Sequence, residues 1–143
     1  MCKKGANRTK LLRQQGMTLI ELIIVVAVLG VITGFAYPSY QDYLLRSHRS
    51  TALIDLYQIQ TQLEKDYQGS YQWQSILPAG VCIDCLSSTD RYQFQVVSSA
   101  TVAYTIIATA LPHKGQDDDQ CLDNSATITL NARGEVTPEA CWK

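Results

Sequence analysis

Hydrophobic and polar positions change rhythm twice along the chain. From Met17 to Tyr37 the residues are nearly all apolar, 21 positions with one charge, Glu21. A helix of that length rises about 30 Å, the thickness of a bilayer's hydrocarbon core. Beyond Pro38 the pattern turns amphipathic. Leu45, Ala52, Leu56, Ile59, Leu63 and Tyr67 recur at three, four or seven residues, and Leu53 widens the stripe. Arg46, Arg49, Asp55, Glu64 and Lys65 fall mostly off it. Gly69 suits a helix stop. One helix from about Met17 to about Gln68 is predicted, with a kink at Pro38.

After a loop-like stretch over 70–90 the period becomes two. Tyr92, Phe94 and Val96 alternate with Gln93 and Gln95. Val102, Tyr104, Ile106 and Ala108 alternate with Thr105, Ile107 and Thr109. The intervening Ser98-Ser99-Ala100-Thr101 reads as a hairpin turn. Ile128 and Leu130 mark a further strand, followed by a turn near Arg133-Gly134. Three or four antiparallel strands under one helical stripe predict a two-layer α+β head.

Charge sharpens the reading of the first segment. Lys3, Lys4, Arg8, Lys10 and Arg13 precede it, with no acid. The remaining residues carry seven Lys/Arg against thirteen Asp/Glu, a balance of −6. Only Arg46 and Arg49 follow the apolar block closely, so the positive-inside rule puts the N-terminus in the cytoplasm and exports the head. Tyr37, Tyr40 and Tyr43 suit a water–lipid boundary. Of five cysteines, Cys2 stays on the reducing side. Cys82, Cys85, Cys121 and Cys141 are exported, where four thiols read as two disulfides of open connectivity.

A secretory signal would have a shorter apolar stretch and a small-residue cleavage site after it. An ordinary signal anchor fits the length and the flanking charge but leaves Glu21 unexplained. A carboxylate inside a span is costly and is usually partnered.

A basic leader, Gly16, then "MTLIELIIVVAVLG" resembles the class III signal of type IV pilins of the short-leader kind. The resemblance implies that a prepilin peptidase cuts between Gly16 and Met17 and methylates the new amine of Met17. The family usually has Phe first, and Met17 departs from this. Glu21 becomes the fifth mature residue, and the resemblance pairs its carboxylate with the N-terminal amine of a neighbouring subunit in the filament. Such a pair sets register more than it adds affinity. Around Pro38 the helix is expected to loosen in a filament, with Gly30 and Gly34 permitting it. The implied layout is a leader over 1–16, a transmembrane and filament-core helix over 17–37, and a globular pilin head over 38–143.

"RSHRSTALIDLYQIQTQLEKDYQGSY" and the final "ACWK" resemble PilE-type minor pilins. There the C-terminal loop is closed by a disulfide, which falls here on Cys121 and Cys141. A loop of roughly 20 residues is worth about 3 kcal/mol in the chain-entropy account. Cys82 and Cys85 would then pair with each other.

Other chemistry is thinner. Cys82-Ile83-Asp84-Cys85 has the C-x-x-C spacing of a thiol–disulfide oxidoreductase but lacks a βαβ setting. A zinc site wants paired C-x-x-C units. Asp117, Asp118, Asp119 and Asp123 form an acidic run, a weak calcium candidate without EF-hand spacing. His48 and His113 have no assignable nucleophile. A head of this charge argues against general nucleic-acid binding, leaving a local patch at Arg46, His48 and Arg49.

The expected function is structural: a subunit, in the minor-pilin class, of a type IV pilus, held in the inner membrane before assembly into the extracellular fibre. Its partners would be the prepilin peptidase, other pilins and the assembly machinery, with no cofactor, no metal and no enzymatic activity. The rivals are a type II secretion pseudopilin, a membrane-anchored periplasmic thiol-disulfide protein using Cys82 and Cys85, and a plain anchored binding module. Mass spectrometry of the membrane-extracted protein is expected to find an N-methylated Met17 terminus. An intact Met1, or a cut beyond the span, would contradict the pilin reading.

Overall fold

The structure is a computed structural model that describes residues 16–122 and 124–143. It forms two compact units, one ending at Tyr37 and one spanning Pro38–Lys143. Helix α1, Leu19–Lys65, supplies residues to both. Thr18 caps its start, accepting the Glu21 amide on its hydroxyl at 3.3 Å. Past its end Gly69 takes a left-handed φ of +86°, which a side chain would strain. Pro38 lies inside α1, where it offers no amide hydrogen to the Gly34 carbonyl one turn back.

In the second unit the sheet has four antiparallel strands in sequence order: β1 (Tyr92–Val97), β2 (Thr105–Ala110), β3 (Thr127–Asn131) and β4 (Val136–Thr137). This is the α+β architecture of a pilin: one long helix and one antiparallel sheet. The predicted alternation holds. Tyr92, Phe94 and Val96 are buried from β1, Ile106, Ala108 and Ala110 from β2, and Ile128 and Leu130 from β3. Tyr104 is fully buried just before β2 begins, so the connection from β1 is longer than the four-residue turn expected. The helical stripe supplies Ala52, Leu56, Ile59 and Leu63 to the same core. Leu45 and Tyr67, at the stripe's ends, stay partly or largely exposed.

The departures are polar. Asp55 was expected off the buried stripe, yet it is fully buried. Its two carboxylate oxygens accept the Leu86 and Ser87 amides, each at 2.8 Å. Amides bonded to a carboxylate are worth more than neutral pairs, about 1.5–3 kcal/mol each. This clamp fixes the end of the α1–β1 connection to the helix. Gln58 assists, donating to the Asp84 carbonyl at 3.0 Å.

Gln116, also fully buried, joins three segments. It donates to the Leu45 carbonyl at 3.0 Å and to the Tyr92 hydroxyl at 3.1 Å, and accepts from Arg91 at 3.1 Å. Burial is the main reason the Tyr92 phenol is pushed up to about 12; the Gln116 hydrogen bond works against it and the nearby Asp119 adds to it. Burial and the hydrogen bond it donates to Glu64 at 2.5 Å also raise Tyr104.

A phenol with a raised folded value keeps its proton longer in the folded state. The associated stability is complete below about pH 10 and is lost as pH rises through the folded value. Unfolding of the full chain in detergent, followed by near-UV circular dichroism in urea, should therefore show a steep loss of stability between about pH 10 and about pH 12. Tyr92→Phe should lose about 1 kcal/mol at neutral pH with its hydrogen bond, and show a shallower alkaline loss. An unchanged alkaline slope would contradict the assignment.

Candidate functional site

The described part of the first unit is an apolar helix that is exposed along its length. Every residue from Gly16 to Tyr37 is exposed, including Leu19, Ile20, Ile23, Val28, Ile32 and Phe35. By length and composition it is able to cross a membrane. Gly30 and Gly34 have open space where a side chain would stand. Gly16 and Met17 precede the first helical residue and are exposed.

Glu21 sits in the first turn of α1. Thr18-Leu19-Ile20-Glu21 has the T-x-x-E spacing of a capping box, a signal present in the sequence that its reading as a membrane misfit passed over. The backbone half of the box forms, through Thr18 and the Glu21 amide. The Glu21 carboxylate has no hydrogen bond or ion pair among the described residues. It stands exposed, with apolar side chains before and after it.

In the second unit both disulfides form as the resemblance implied, Cys82 with Cys85 and Cys121 with Cys141. The Cys82–Cys85 bridge lies in the α1–β1 connection, between the 3-10 turn Pro78–Gly80 and β1. No strand leads into it and no helix follows it, unlike the C-x-x-C of an oxidoreductase. Val81, Ile83 and Leu86 around it are exposed. Cys141 is buried in the 3-10 turn Glu139–Trp142 that follows β4, and Trp142 meets Tyr57 of α1 edge-on at 5.4 Å.

The acidic run is divided. Asp117 and Asp118 are exposed, whereas Asp119 is buried and accepts from Arg49 at 2.5 Å and from the Cys121 amide at 3.3 Å. A cation there would compete with a guanidinium already in place. Asp123 lies outside the described residues. Among the described residues no three His, Cys, Asp or Glu side chains are grouped to hold a metal. His113 is exposed. His48 is partly covered, and that burial, with Arg91 nearby, lowers its pKa. The expected patch of Arg46, His48 and Arg49 is thus reduced: Arg49 is paired with Asp119, and of the three only Arg46 is exposed.

Similarity to known proteins follows the same division. A family model described as "Prokaryotic N-terminal methylation motif" matches residues 11–37, and one described as "Type IV minor pilin ComP, DNA uptake sequence receptor" matches residues 38–125. The chain is 32% identical over 102 residues to the type IV major pilin protein PilE1 of Neisseria gonorrhoeae, a match covering 71% of this chain and 46% of that one. It is 45% identical over 51 residues to the type IV major fimbrial protein FimA of Dichelobacter nodosus, covering 36% and 33%. Fimbrial protein EcpC of Eikenella corrodens is 34% identical over 104 residues, covering 71% and 65%. The chain therefore spans between a third and two thirds of the length of these relatives. With a methylation motif on the exposed apolar helix and a minor-pilin model matching most of the head, the chain belongs to the type IV pilin family.

Proposed function

We propose that this chain is a minor subunit of a type IV pilus, cleaved between Gly16 and Met17, methylated on Met17, and assembled with other pilins from the inner membrane. Its work is structural rather than catalytic. The observation that carries the reading is the lone Glu21 carboxylate on an otherwise apolar, wholly exposed helix. Such a helix is stable in lipid, or in a bundle of its own kind. In either setting an unpaired carboxylate is unfavourable, and a cationic partner removes that penalty. Cleavage at Gly16 would supply one, a new amine at the start of the same helix in a neighbouring subunit. Before assembly the basic leader would hold the N-terminus in the cytoplasm. In the filament Pro38, with Gly30 and Gly34, marks where α1 would kink or loosen.

The matched minor-pilin family is described as a DNA uptake sequence receptor, and the match covers the head. Carried to this chain, that function would rest on a local cationic surface. Arg46 and Lys114 are exposed cations beside Leu45, with the exposed carboxylates of Asp42 and Asp118 close by. Arg49 and Arg91 are engaged inside the head.

Two outcomes follow. Glu21→Val should leave the protein in the membrane but remove it from sheared pili; normal recovery in the pilus fraction would sink the pairing. For DNA, the full chain in non-ionic detergent should retard duplex DNA at low salt. Replacing both Arg46 and Lys114 with alanine should lower affinity about tenfold or more and flatten the salt dependence by about two ions. An unaltered salt slope would place the contact elsewhere.

A further inference from the structure

One cleft of the head sets an aromatic side chain beside uncharged polar ones. Its volume is about 420 Å³, inside the range of about 300–1,000 Å³ common to small-molecule sites. Trp73, Leu77 and Gly80 of the α1–β1 connection line one side, and Gln93, Gln95 and Thr109 of the sheet line the other. No lining residue is charged. Phe94 and Val96 also border the cleft but are only 3% and 6% exposed. The connection therefore covers the edge of β1, and the cleft offers a ligand side chains and not a free strand.

Strand geometry spaces the polar groups. The Leu111 amide donates to the Arg91 carbonyl at 2.8 Å. In an antiparallel pair such bonded positions recur at every second residue. Gln93 and Thr109 are directly opposite, so they are a bonded pair with Cα atoms about 5.5 Å apart. Gln95 stands two residues along the same face, about 6.8 Å from Gln93. Two amides and a hydroxyl thus form a triangle on one face of the sheet. Gln93 and Gln95 are exposed and Thr109 is half-buried. None of the three has a side-chain hydrogen bond among the described residues.

The opposite wall is tied down. The Trp73 carbonyl accepts the Ile76 and Leu77 amides at 3.1 and 2.8 Å, and the Leu77 carbonyl accepts the Gly80 amide at 3.2 Å. Trp73 is partly buried against the core. Gly80 has a left-handed φ of +80° and runs close to Gln93: a Cβ there would stand 4.0 Å from the Gln93 side-chain nitrogen.

We propose that this cleft binds one neutral sugar ring of a glycan. Each glutamine amide both donates and accepts, as does the threonine hydroxyl, and so does every hydroxyl of a pyranose. The C–H face of the same ring suits an indole, whose π face is negative. Other ligands leave something unmatched. A phosphate or carboxylate would meet no cation in the lining. A wholly apolar ligand would strip water from two amides without replacing it. The inference is independent of filament assembly and of the DNA reading, which rests on Arg46 and Lys114.

The probes are cellobiose, lactose, mannobiose and diacetylchitobiose. Each is titrated into the isotopically labelled full chain in dodecylphosphocholine micelles, whose headgroup is not a sugar, and read by nuclear magnetic resonance. With at least one of them the side-chain amide signals of Gln93 and Gln95 and the indole N–H signal of Trp73 should move and saturate. The indole of Trp142, which does not line the cleft, should stay still. Trp73→Ala should weaken the affinity about tenfold or more. Gln95→Ala, an exposed change that leaves the core intact, should weaken it several-fold. The double replacement of Arg46 and Lys114 by alanine should leave it unchanged. The proposal is overturned if no probe saturates, if the Trp142 signal moves in place of Trp73, or if Gln95→Ala binds as tightly as the parent chain. It is also overturned if a thymidine oligonucleotide moves the cleft signals and the sugars do not, because the indole would then serve a nucleobase.

Discussion

Everything in the head depends on covering one helical stripe. Ala52, Leu56, Ile59 and Leu63 repeat at three and four residues, and all four are buried in one core with the inward residues of the sheet. Burying a leucine-sized side chain contributes about 1.5–3 kcal/mol, so this seam supplies the main attraction between the layers. It also fixes the register of the sheet. A one-residue slip of β1 would turn Tyr92, Phe94 and Val96 outward and bring Gln93 and Gln95 into the core. The polar clamps then decide how the connections drape over the two layers. Asp55 holds residues 86 and 87, Gln116 ties the start of β1 to the helix and to the segment after β2, and Arg49 holds Asp119 beside the Cys121–Cys141 bridge.

That ranking explains what was legible in the sequence. Periodicity reports burial on a regular element, so the helix, three of the strands and their inward residues could be read directly. The fourth strand is two residues long and has no period to detect. Asp55 shows the opposite failure. Its charge placed it off the buried stripe, although it directly precedes Leu56 at the stripe's margin. What brings it inside is a pair of amides from residues 86 and 87, more than thirty positions away. Gln116 and Asp119 are similar: each looks like a loop residue until its distant partners are known. Composition located the acidic run, but it could not show that Asp119 faces a guanidinium and not solvent.

The same limit applies to the sheet's edges. Alternation in β1 reveals which side chains face the core, and says nothing of where the outward amides go. The bonded phase of the ladder supplies that. It rests on one contact outside the strand, Leu111 to Arg91, together with the register of the pair. The two edges thus end differently because of their connections: Pro138 follows β4, whereas the Trp73–Gly80 segment runs beside β1, whose Phe94 and Val96 are nearly fully buried.

Glu21 remains the sharpest conflict between a residue and its surroundings. Its position in the first turn gives it some intrinsic support. A carboxylate at a helix N-terminus is favoured by about 0.3–1 kcal/mol through the helix dipole, and the Thr18 hydroxyl already caps its amide. Against this stands the transfer of a charge into an apolar medium, which costs about 2.5–3.5 kcal/mol at a span's centre on insertion scales and less near its end. If capping were the whole purpose, serine or aspartate nearer the water would serve as well, at smaller penalty. A charge held among Leu19, Ile20, Leu22 and Ile23 makes physical sense when an opposite charge arrives to meet it. On the reading proposed above that charge comes from a neighbouring subunit, where a free amine at the start of an identical helix is of the right sign.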